Sequence, residues 1–186
     1  MTVHEIIVVD HPVLRRKAKK IAKITPEVRK LIEDMIETMR DAPGVGLAAP
    51  QVGVSERLIV VEYGEEDDEA QATDDKPAKK KLYVLINPEI VWASEEMVES
   101  AEGCLSIPGW VGDVARHEAV AVKGLNREGH KSKIDARGWL ARIFQHEIDH
   151  LDGILYTDRL ISPDSLRRWP PPEEEGQLKT KVEVIG

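Results

Sequence analysis

The stretch Gln145-His146-Glu147-Ile148-Asp149-His150-Leu151-Asp152-Gly153 contains two histidines four residues apart, with a glutamate directly after the first. Side chains at this spacing share one face of an α-helix. Two neutral imidazoles on that face can hold one divalent ion, and a carboxylate beside the ion can take a proton from bound water. The ion lowers the pKa of that water to about 7 in favourable cases. The stretch therefore predicts a helix that carries a metal ion and a base.

The residues around the two histidines are apolar, which indicates burial. They are Leu140, Ile143, Phe144, Ile148 and Leu151. Two histidines on a helix can also be ordinary surface residues, but a helix that is apolar on all sides is buried. A buried cluster of His and Glu needs a partner such as a metal ion. We predict a buried helix over residues 135–151, followed by Gly153 as its C-cap.

The rest of the chain predicts one further helix and several strands. Thr25 and Pro26 suit a helix start, because a hydroxyl caps the first turn and proline fits its first position. Apolar residues then recur at helical spacing, and the helix should end near Asp41. Residues 44–53 are predicted to form a loop. The predicted strands cover residues 6–9, 58–63, 83–86, 90–92, 97–100, 120–125 and 154–156, with 90–92 and 97–100 as a pair. Strands and helices do not alternate, which favours an α+β fold.

Composition excludes several classes of protein. The chain of 186 residues suits one compact domain. A net charge of −8 argues against direct nucleic-acid binding, which needs a clustered basic surface. Cys104 is the single cysteine, so an intramolecular disulfide is impossible. Residues 1–10 do not form a signal peptide, and no apolar stretch approaches the roughly 20 residues of a membrane span. We expect a cytoplasmic enzyme with no membrane contact.

Two histidines do not complete a metal site, and the sequence leaves several candidates for the third ligand. A metzincin protease would have a further histidine at the position of Tyr156. A gluzincin would use a downstream carboxylate, for which Asp158, Asp164 and residues 173–175 are available. The upstream candidate is Cys104, since a thiolate is a natural ligand of a divalent ion. A lone cysteine is more often a core residue, but the incomplete site favours Cys104 as a ligand.

With these residues assembled, the sequence closely resembles the peptide deformylase family. The resemblance rests on three segments in order: Gly44-Val45-Gly46-Leu47-Ala48-Ala49-Pro50-Gln51, Glu102-Gly103-Cys104-Leu105-Ser106, and the histidine stretch from Gln145 to Gly153. It extends from about residue 3 to residue 160. It implies antiparallel β-sheets packed around a central metal-binding helix, with an additional N-terminal helix.

The resemblance also implies an activity and a set of site residues. The enzyme would remove the N-formyl group from the initiator methionine of newly synthesised polypeptides and release formate. The metal ligands would be Cys104, His146 and His150. Glu147 would act as general base and then as general acid. Gln51, through its side-chain amide, and Leu105, through its backbone N–H, would stabilise the oxyanion.

The expected substrate is an extended formyl-methionyl peptide. Val45, Gly46 and Gly103 would supply main-chain contacts. The methionine side chain needs an apolar pocket, for which Val45, Trp139 and Ile143 are candidates, although plain core packing explains the last two equally well. The expected cofactor is one divalent ion, most naturally Fe2+ in the cell, with Zn2+ or Ni2+ as replacements after isolation. Nascent polypeptides are the expected partners, with a transient ribosome contact.

The sequence departs from the family pattern in three places. Residues 107–111 contain no arginine, which some members have after the cysteine motif. Residues 64–81 form a charged insertion, predicted to be flexible, within a catalytic domain of residues 1–165. Residues 166–186 form a tail without the basic helix of some members.

A zincin-type metalloprotease is disfavoured because position 156 is tyrosine, and a non-catalytic metal-binding domain is disfavoured because Glu147 and Gln51 are both present.

Overall fold

The structure is a computed structural model that describes residues 2–64 and 80–170. It contains two α-helices and two antiparallel β-sheets. The helices are α1 (Pro26–Asp41) and α2 (Gly138–Leu151). The strands are β1 (Gly46–Ala48), β2 (Leu58–Tyr63), β3 (Lys81–Ala93), β4 (Met97–Cys104), β5 (Ile107–His117), β6 (Ala119–Leu125), β7 (Lys131–Arg137) and β8 (Arg167–Arg168).

The larger sheet has the strand order β1-β2-β3-β6-β7, and both of its faces are covered. Successive strand residues point to opposite faces. On β2, Ile59 and Val61 therefore pack on the side of α2, whereas Leu58 and Val60 pack on the side of α1. Residues Leu58, Ile59, Val60 and Val61 form a continuous apolar run because neither face of the strand meets water there.

Helix α1 begins and ends where the sequence predicts. The Thr25 side chain accepts a hydrogen bond from the Val28 backbone N–H, and Pro26 occupies the first turn. The apolar stripe is buried against the larger sheet through Val28, Ile32, Met35, Ile36 and Met39. The helix covers this face of the sheet and leaves the other face to α2.

Helix α2 lies between the two sheets. Its apolar residues, including Leu140, Phe144 and Leu151, pack on the larger sheet. Its polar residues reach the smaller sheet, whose order is β4-β5-β8. Asp149 of α2 pairs with Arg116 of β5, with Nη1 to Oδ2 at 2.5 Å. The predicted α+β fold around a central helix is confirmed.

Two predicted elements are wrong in their bounds or type. Helix α2 begins at Gly138 and not at residue 135, because residues 131–137 pair with β6 as strand β7. Gly138 has φ +55°, a left-handed turn that separates strand from helix. Residues 154–156 form no strand, because Leu155 and Tyr156 are buried at the start of a 3-10 helix. Gly153 does follow α2 with φ +74°, as expected of a helix end.

The pairing of strands also differs from the prediction. Residues 90–92 continue β3 in the larger sheet, whereas residues 97–100 belong to β4 in the smaller one. Residues 6–9 form no strand, because their backbone N–H groups bond singly to two separate segments: that of Ile7 to the Gln51 carbonyl and that of Val9 to the Ser106 carbonyl. The predicted loop at 44–53 contains β1 and a 3-10 helix over Ala49–Val52.

Two predictions lie largely outside the described residues. The charged insertion at 64–81 is described only at its ends, and residues 65–79 lie outside the description. The tail at 166–186 is described as far as Pro170. Its described part contains β8, which pairs with β5. Within residues 2–64 and 80–170, no helix is long and apolar enough to cross a membrane.

The N-terminal segment is tied to α1 by Asp34, which makes stability depend on pH. A hydrogen bond from Lys30 is the main cause that lowers the pKa of Asp34 to about 2, assisted by the Thr2 backbone N–H. A lowered pKa contributes stability above the usual value of 3.8, and this contribution is lost as pH falls towards 2. We expect Asp34→Asn to unfold at lower denaturant concentration at pH 7, and the gap to the wild type should close between pH 3.8 and about 2.

Urea unfolding over this pH range, followed by circular dichroism, measures the gap. Asp135→Asn is the matched control, because this aspartate lies exposed on β7. A gap for Asp34→Asn that stays constant down to pH 2 would contradict the prediction.

Candidate metal centre and active site

Three donor atoms from two elements come together beside α2. Cys104, His146 and His150 each offer one ligand atom, and these atoms all lie within 4.8 Å of one another. The Cys104 sulfur is 3.3 Å from Nε2 of His150. All three residues are buried. The structure thus brings the upstream cysteine to the two histidines of the helix.

The cysteine lies at an irregularity in the pairing of β4 with β5. The β4–β5 register is regular as far as Gly103 opposite Val111, then shifts so that Cys104 faces Ile107. The three unmatched residues are on β5, and Cys104 ends β4 just before the turn to β5. At this position the cysteine reaches His150 of α2.

His146 is held in one orientation by Glu102. Nδ1 of His146 lies 2.9 Å from Oε2 of Glu102, so that nitrogen carries the proton. Nε2 is buried and has no hydrogen-bond partner among the described residues. The ring also stacks on Tyr156, with centroids 6.2 Å apart and planes inclined by 19°. A buried imidazole nitrogen without a partner fits a metal ligand.

Glu102 is itself surrounded by cations. Arg116 donates to both of its carboxylate oxygens, at 2.9 and 3.0 Å, and Arg142 donates at 2.7 Å. Burial alone would raise the pKa of Glu102, but the hydrogen bonds from His146 and Arg116 hold it well below its usual range. The network continues through Asp149 to Arg159, at 2.5 and 2.7 Å. Glu102 is therefore a fixed anion behind the first histidine.

Sequence reasoning missed the roles of these network residues. Glu102 stands in the cysteine motif and Asp149 in the histidine stretch, so their positions beside the ligands were a usable signal. Arg116 and Arg142 carry no such signal, because their contacts with Glu102 span 14 and 40 residues.

Glu147 lies beside the ligands and is completely buried. Both carboxylate oxygens are buried without a hydrogen-bond partner among the described residues. Burial, together with the charge of Glu102, raises the pKa of Glu147 well above its usual value. Gly46 of β1 packs directly on this side chain, since a Cβ at that position would lie 2.5 Å from Oε1. Glycine at position 46 therefore leaves the space that the carboxylate occupies.

Gln51 and Leu105 flank the cluster from two different turns. The Gln51 side chain is fully buried, and its Nε2 lies 3.6 Å from the Cys104 sulfur. Leu105 follows Cys104 in the β4–β5 turn, and its Cδ1 would be 3.0 Å from a Cβ at Gly44. The first and second sequence segments thus meet at the cluster.

The candidate substrate residues fall in two groups. Val45 and Ile143 belong to one buried cluster, against which Trp139 packs half-buried, with the Arg142 guanidinium 5.8 Å from its ring centre. Gly46 lies on β1 and Gly103 on β4, each an edge strand of its sheet in the described residues. The structure therefore gathers the apolar candidates and sets the two backbone candidates on edge strands of the two sheets.

The donor set has the chemistry of a metal-dependent hydrolase. A thiolate and two imidazoles suit zinc or ferrous iron, and the group beside them is a carboxylate able to move a proton. Tyr156 is not placed as the third ligand of a metzincin, because its hydroxyl donates to the Trp110 carbonyl at 3.0 Å.

Comparison with known proteins gives the family. The family model described as polypeptide deformylase matches residues 3–165. A peptide deformylase from Symbiobacterium thermophilum is 55% identical over 184 residues, covering 99% of this chain and 76% of that protein. A crystal structure of peptide deformylase from Ehrlichia chaffeensis is 39% identical, with a TM-score of 0.79 over 88% of this chain and 91% of that one. A peptide deformylase from Acinetobacter baumannii, solved with Met-Ala-Ser bound, is 36% identical, with a TM-score of 0.75 over 86% and 99% of the two chains.

The chain belongs to the peptide deformylase family. It is therefore an enzyme, a hydrolase of protein biosynthesis, and the family is metal-dependent.

The contact between Glu102 and His146 predicts how metal affinity responds to mutation. Glu102→Gln removes the anion that fixes the imidazole and leaves Arg116 and Arg142 without their carboxylate. Loss of such a partner costs about 10- to 100-fold in metal affinity. We expect the dissociation constant for Zn2+, measured by competition with a chromophoric chelator, to rise by that factor.

Glu99→Gln is the control, because Glu99 lies on the same strand β4 but is exposed. An unchanged affinity in Glu102→Gln, with the fold intact, would remove Glu102 from the control of the metal site.

Proposed function

We propose that this protein removes the N-formyl group from the initiator methionine of newly synthesised polypeptides and releases formate. The observation that carries the proposal is the cluster of Cys104, His146 and His150 with Glu147 beside it, in a chain of the peptide deformylase family. The reaction consumes one water. Its oxygen attacks the formyl carbon, the carbon–nitrogen bond breaks, and the methionine amine leaves with a proton.

We assign Cys104, His146 and His150 as ligands of one divalent ion, with Fe2+ as the ion used in the cell and Zn2+ or Ni2+ as possible replacements after isolation. A divalent ion at this position would polarise the formyl carbonyl and activate water. The donor set supports the assignment, because an imidazole nitrogen and a thiolate bind such ions and the His146 Nε2 has no other partner among the described residues.

Glu147 is the proposed proton carrier. Its carboxylate would take a proton from the attacking water and pass it to the leaving amine, which is the work of a general base and then of a general acid. Its burial supports this role, and so does the lack of a hydrogen bond from any described residue to the carboxylate, which leaves both oxygens available for the proton.

Attack on the carbonyl places negative charge on the formyl oxygen. We propose that the Gln51 amide and the Leu105 backbone N–H donate to that oxygen, with roughly 3 kcal/mol at stake for each fixed donor. The proximity of Gln51 Nε2 to the Cys104 sulfur supports its part. An amide suits this role because it donates without carrying a charge.

The proposed substrate lies extended between two sheet edges. A peptide can add to an edge strand through main-chain hydrogen bonds, and Gly46 of β1 and Gly103 of β4 are on such strands. Val45, Trp139 and Ile143 would form the apolar pocket for the methionine side chain. The Acinetobacter baumannii relative was solved with Met-Ala-Ser bound, which supports a methionine-first peptide as the ligand class.

We further propose that residues 1–165 act as one catalytic domain, with residues 166–186 as an appended tail. The protein would meet formylated nascent chains in the cytoplasm, with a transient ribosome contact. The match of the family model to residues 3–165 supports the boundary.

Formate release from formyl-Met-Ala-Ser by anaerobically prepared, iron-loaded protein tests the function. Glu147→Gln should keep the metal ion and lose kcat by about 100-fold or more, because proton transfer by a positioned side chain contributes about 10²–10⁴-fold. Formate is measured enzymatically and metal content by emission spectroscopy.

Absence of formate from metal-containing wild-type protein would refute the deformylase proposal. Cleavage of the Met–Ala bond in place of the formamide would favour a metalloprotease. Normal turnover by Glu147→Gln would remove Glu147 from the proton path.

A further inference from the structure

The Gln51 side chain is fixed at its oxygen end by its own turn. Oε1 accepts a hydrogen bond from the Ala48 backbone N–H at 2.9 Å, at the start of the 3-10 helix Ala49–Val52. A primary amide is planar and has one acceptor oxygen and two N–H donors. Once Oε1 is fixed, the direction of the Nε2 protons depends on what Nε2 meets.

Nε2 meets the hydroxyl of Ser106, which is completely buried. Nε2 donates to Oγ at 3.2 Å. Both the hydroxyl and the backbone N–H of Ser106 donate in turn to the Cys104 sulfur. The second Nε2 proton is on the side of that sulfur, 3.6 Å from Nε2, and therefore faces the ligand cluster.

The backbones of these two residues are held by one segment of chain. The Ile7 N–H donates to the Gln51 carbonyl at 2.8 Å, and the Val9 N–H donates to the Ser106 carbonyl at 3.0 Å. Gln51 and Ser106 lie on different turns, 55 residues apart in sequence. The contact between the Ser106 hydroxyl and the Gln51 amide therefore joins two segments whose backbones are both held by residues 7–9.

We propose that Ser106 is a positioning residue for the hydrolysis: its hydroxyl engages one N–H of Gln51 and so directs the other N–H to the formyl oxygen. A hydroxyl suits the position because it accepts from the amide while it donates to the sulfur. The inference rests on the proposed deformylase function. It adds a role for Ser106, the last residue of the cysteine motif.

Kinetics of a double-mutant cycle test the proposal. Ser106→Ala removes only the hydroxyl oxygen. We expect kcat for formyl-Met-Ala-Ser to fall by about tenfold or more while KM stays within about twofold, since loss of an oxyanion donor lowers kcat by about 10²–10³ and misdirection loses part of this. In a Gln51→Ala background, Ser106→Ala should lower kcat no further.

Ser132→Ala on β7 is the matched control for loss of a serine hydroxyl. An unchanged kcat in Ser106→Ala would overturn the proposal. So would an equal loss in the wild-type and Gln51→Ala backgrounds, or a loss of bound zinc, because each would mean that Ser106 acts through Cys104 or through the fold.

A second measurement does not depend on turnover. In a ¹H–¹⁵N spectrum of the zinc-loaded protein, the Gln51 side-chain amide is assigned by its absence in Gln51→Ala. We expect Ser106→Ala to shift both Nε2 proton resonances and to speed their exchange with solvent. Unchanged resonances and exchange would refute the positioning role even if the wild-type protein released no formate, whereas changed resonances in an inactive protein would refute only the deformylase function.

Discussion

A single buried carboxylate, that of Glu102, joins the smaller sheet to the central helix. It belongs to the smaller sheet, accepts from Arg116 of the same sheet, and binds Arg142 and His146 of α2. Burying these charges is costly, and the cost is offset only when the ions are paired and hydrogen-bonded. The network meets that condition at each residue, and it extends through Asp149 to Arg159. The arrangement fixes the His146 imidazole beside the ligand cluster, so the rigidity of the site follows from the way the smaller sheet is joined to α2.

The candidate site is built from turns and strand ends supported by this frame. Cys104 reaches the helix from the end of β4, Gly46 leaves room for Glu147, and Gln51 is held by the backbone N–H of Ala48. Each of these depends on backbone geometry more than on side-chain chemistry. Precise placement of catalytic groups on rigid elements is what such chemistry requires.

The sequence predicts well what depends on local spacing. Helix α1, the apolar face of α2 and the joint position of the two histidines follow from residues three and four apart. The resemblance of three motifs supplied Cys104, which spacing alone left open. Long-range features were not predictable. The pairing of β3 with β6 and the contacts of Glu102 with Arg142 and His146 join residues far apart in the chain, where no periodicity reports the pairing. Strands β5 and β7 pair with the strands directly before them, but glycine, proline and charged residues interrupt their sequences, so neither shows the pattern of a strand. Residues 6–9 look like a strand because they are apolar, but their backbone N–H groups donate to two separate segments, at Gln51 and at Ser106.

The central claim is that one thiolate and two imidazoles hold one metal ion beside Glu147. X-ray absorption at the zinc edge of the zinc-loaded protein tests it most directly. The claim predicts one sulfur at about 2.3 Å and two histidine nitrogens at about 2.0–2.1 Å, with lighter atoms completing four-coordination. The sulfur signal should vanish in Cys104→Ala. A zinc shell without sulfur, or with a single imidazole, would contradict the account.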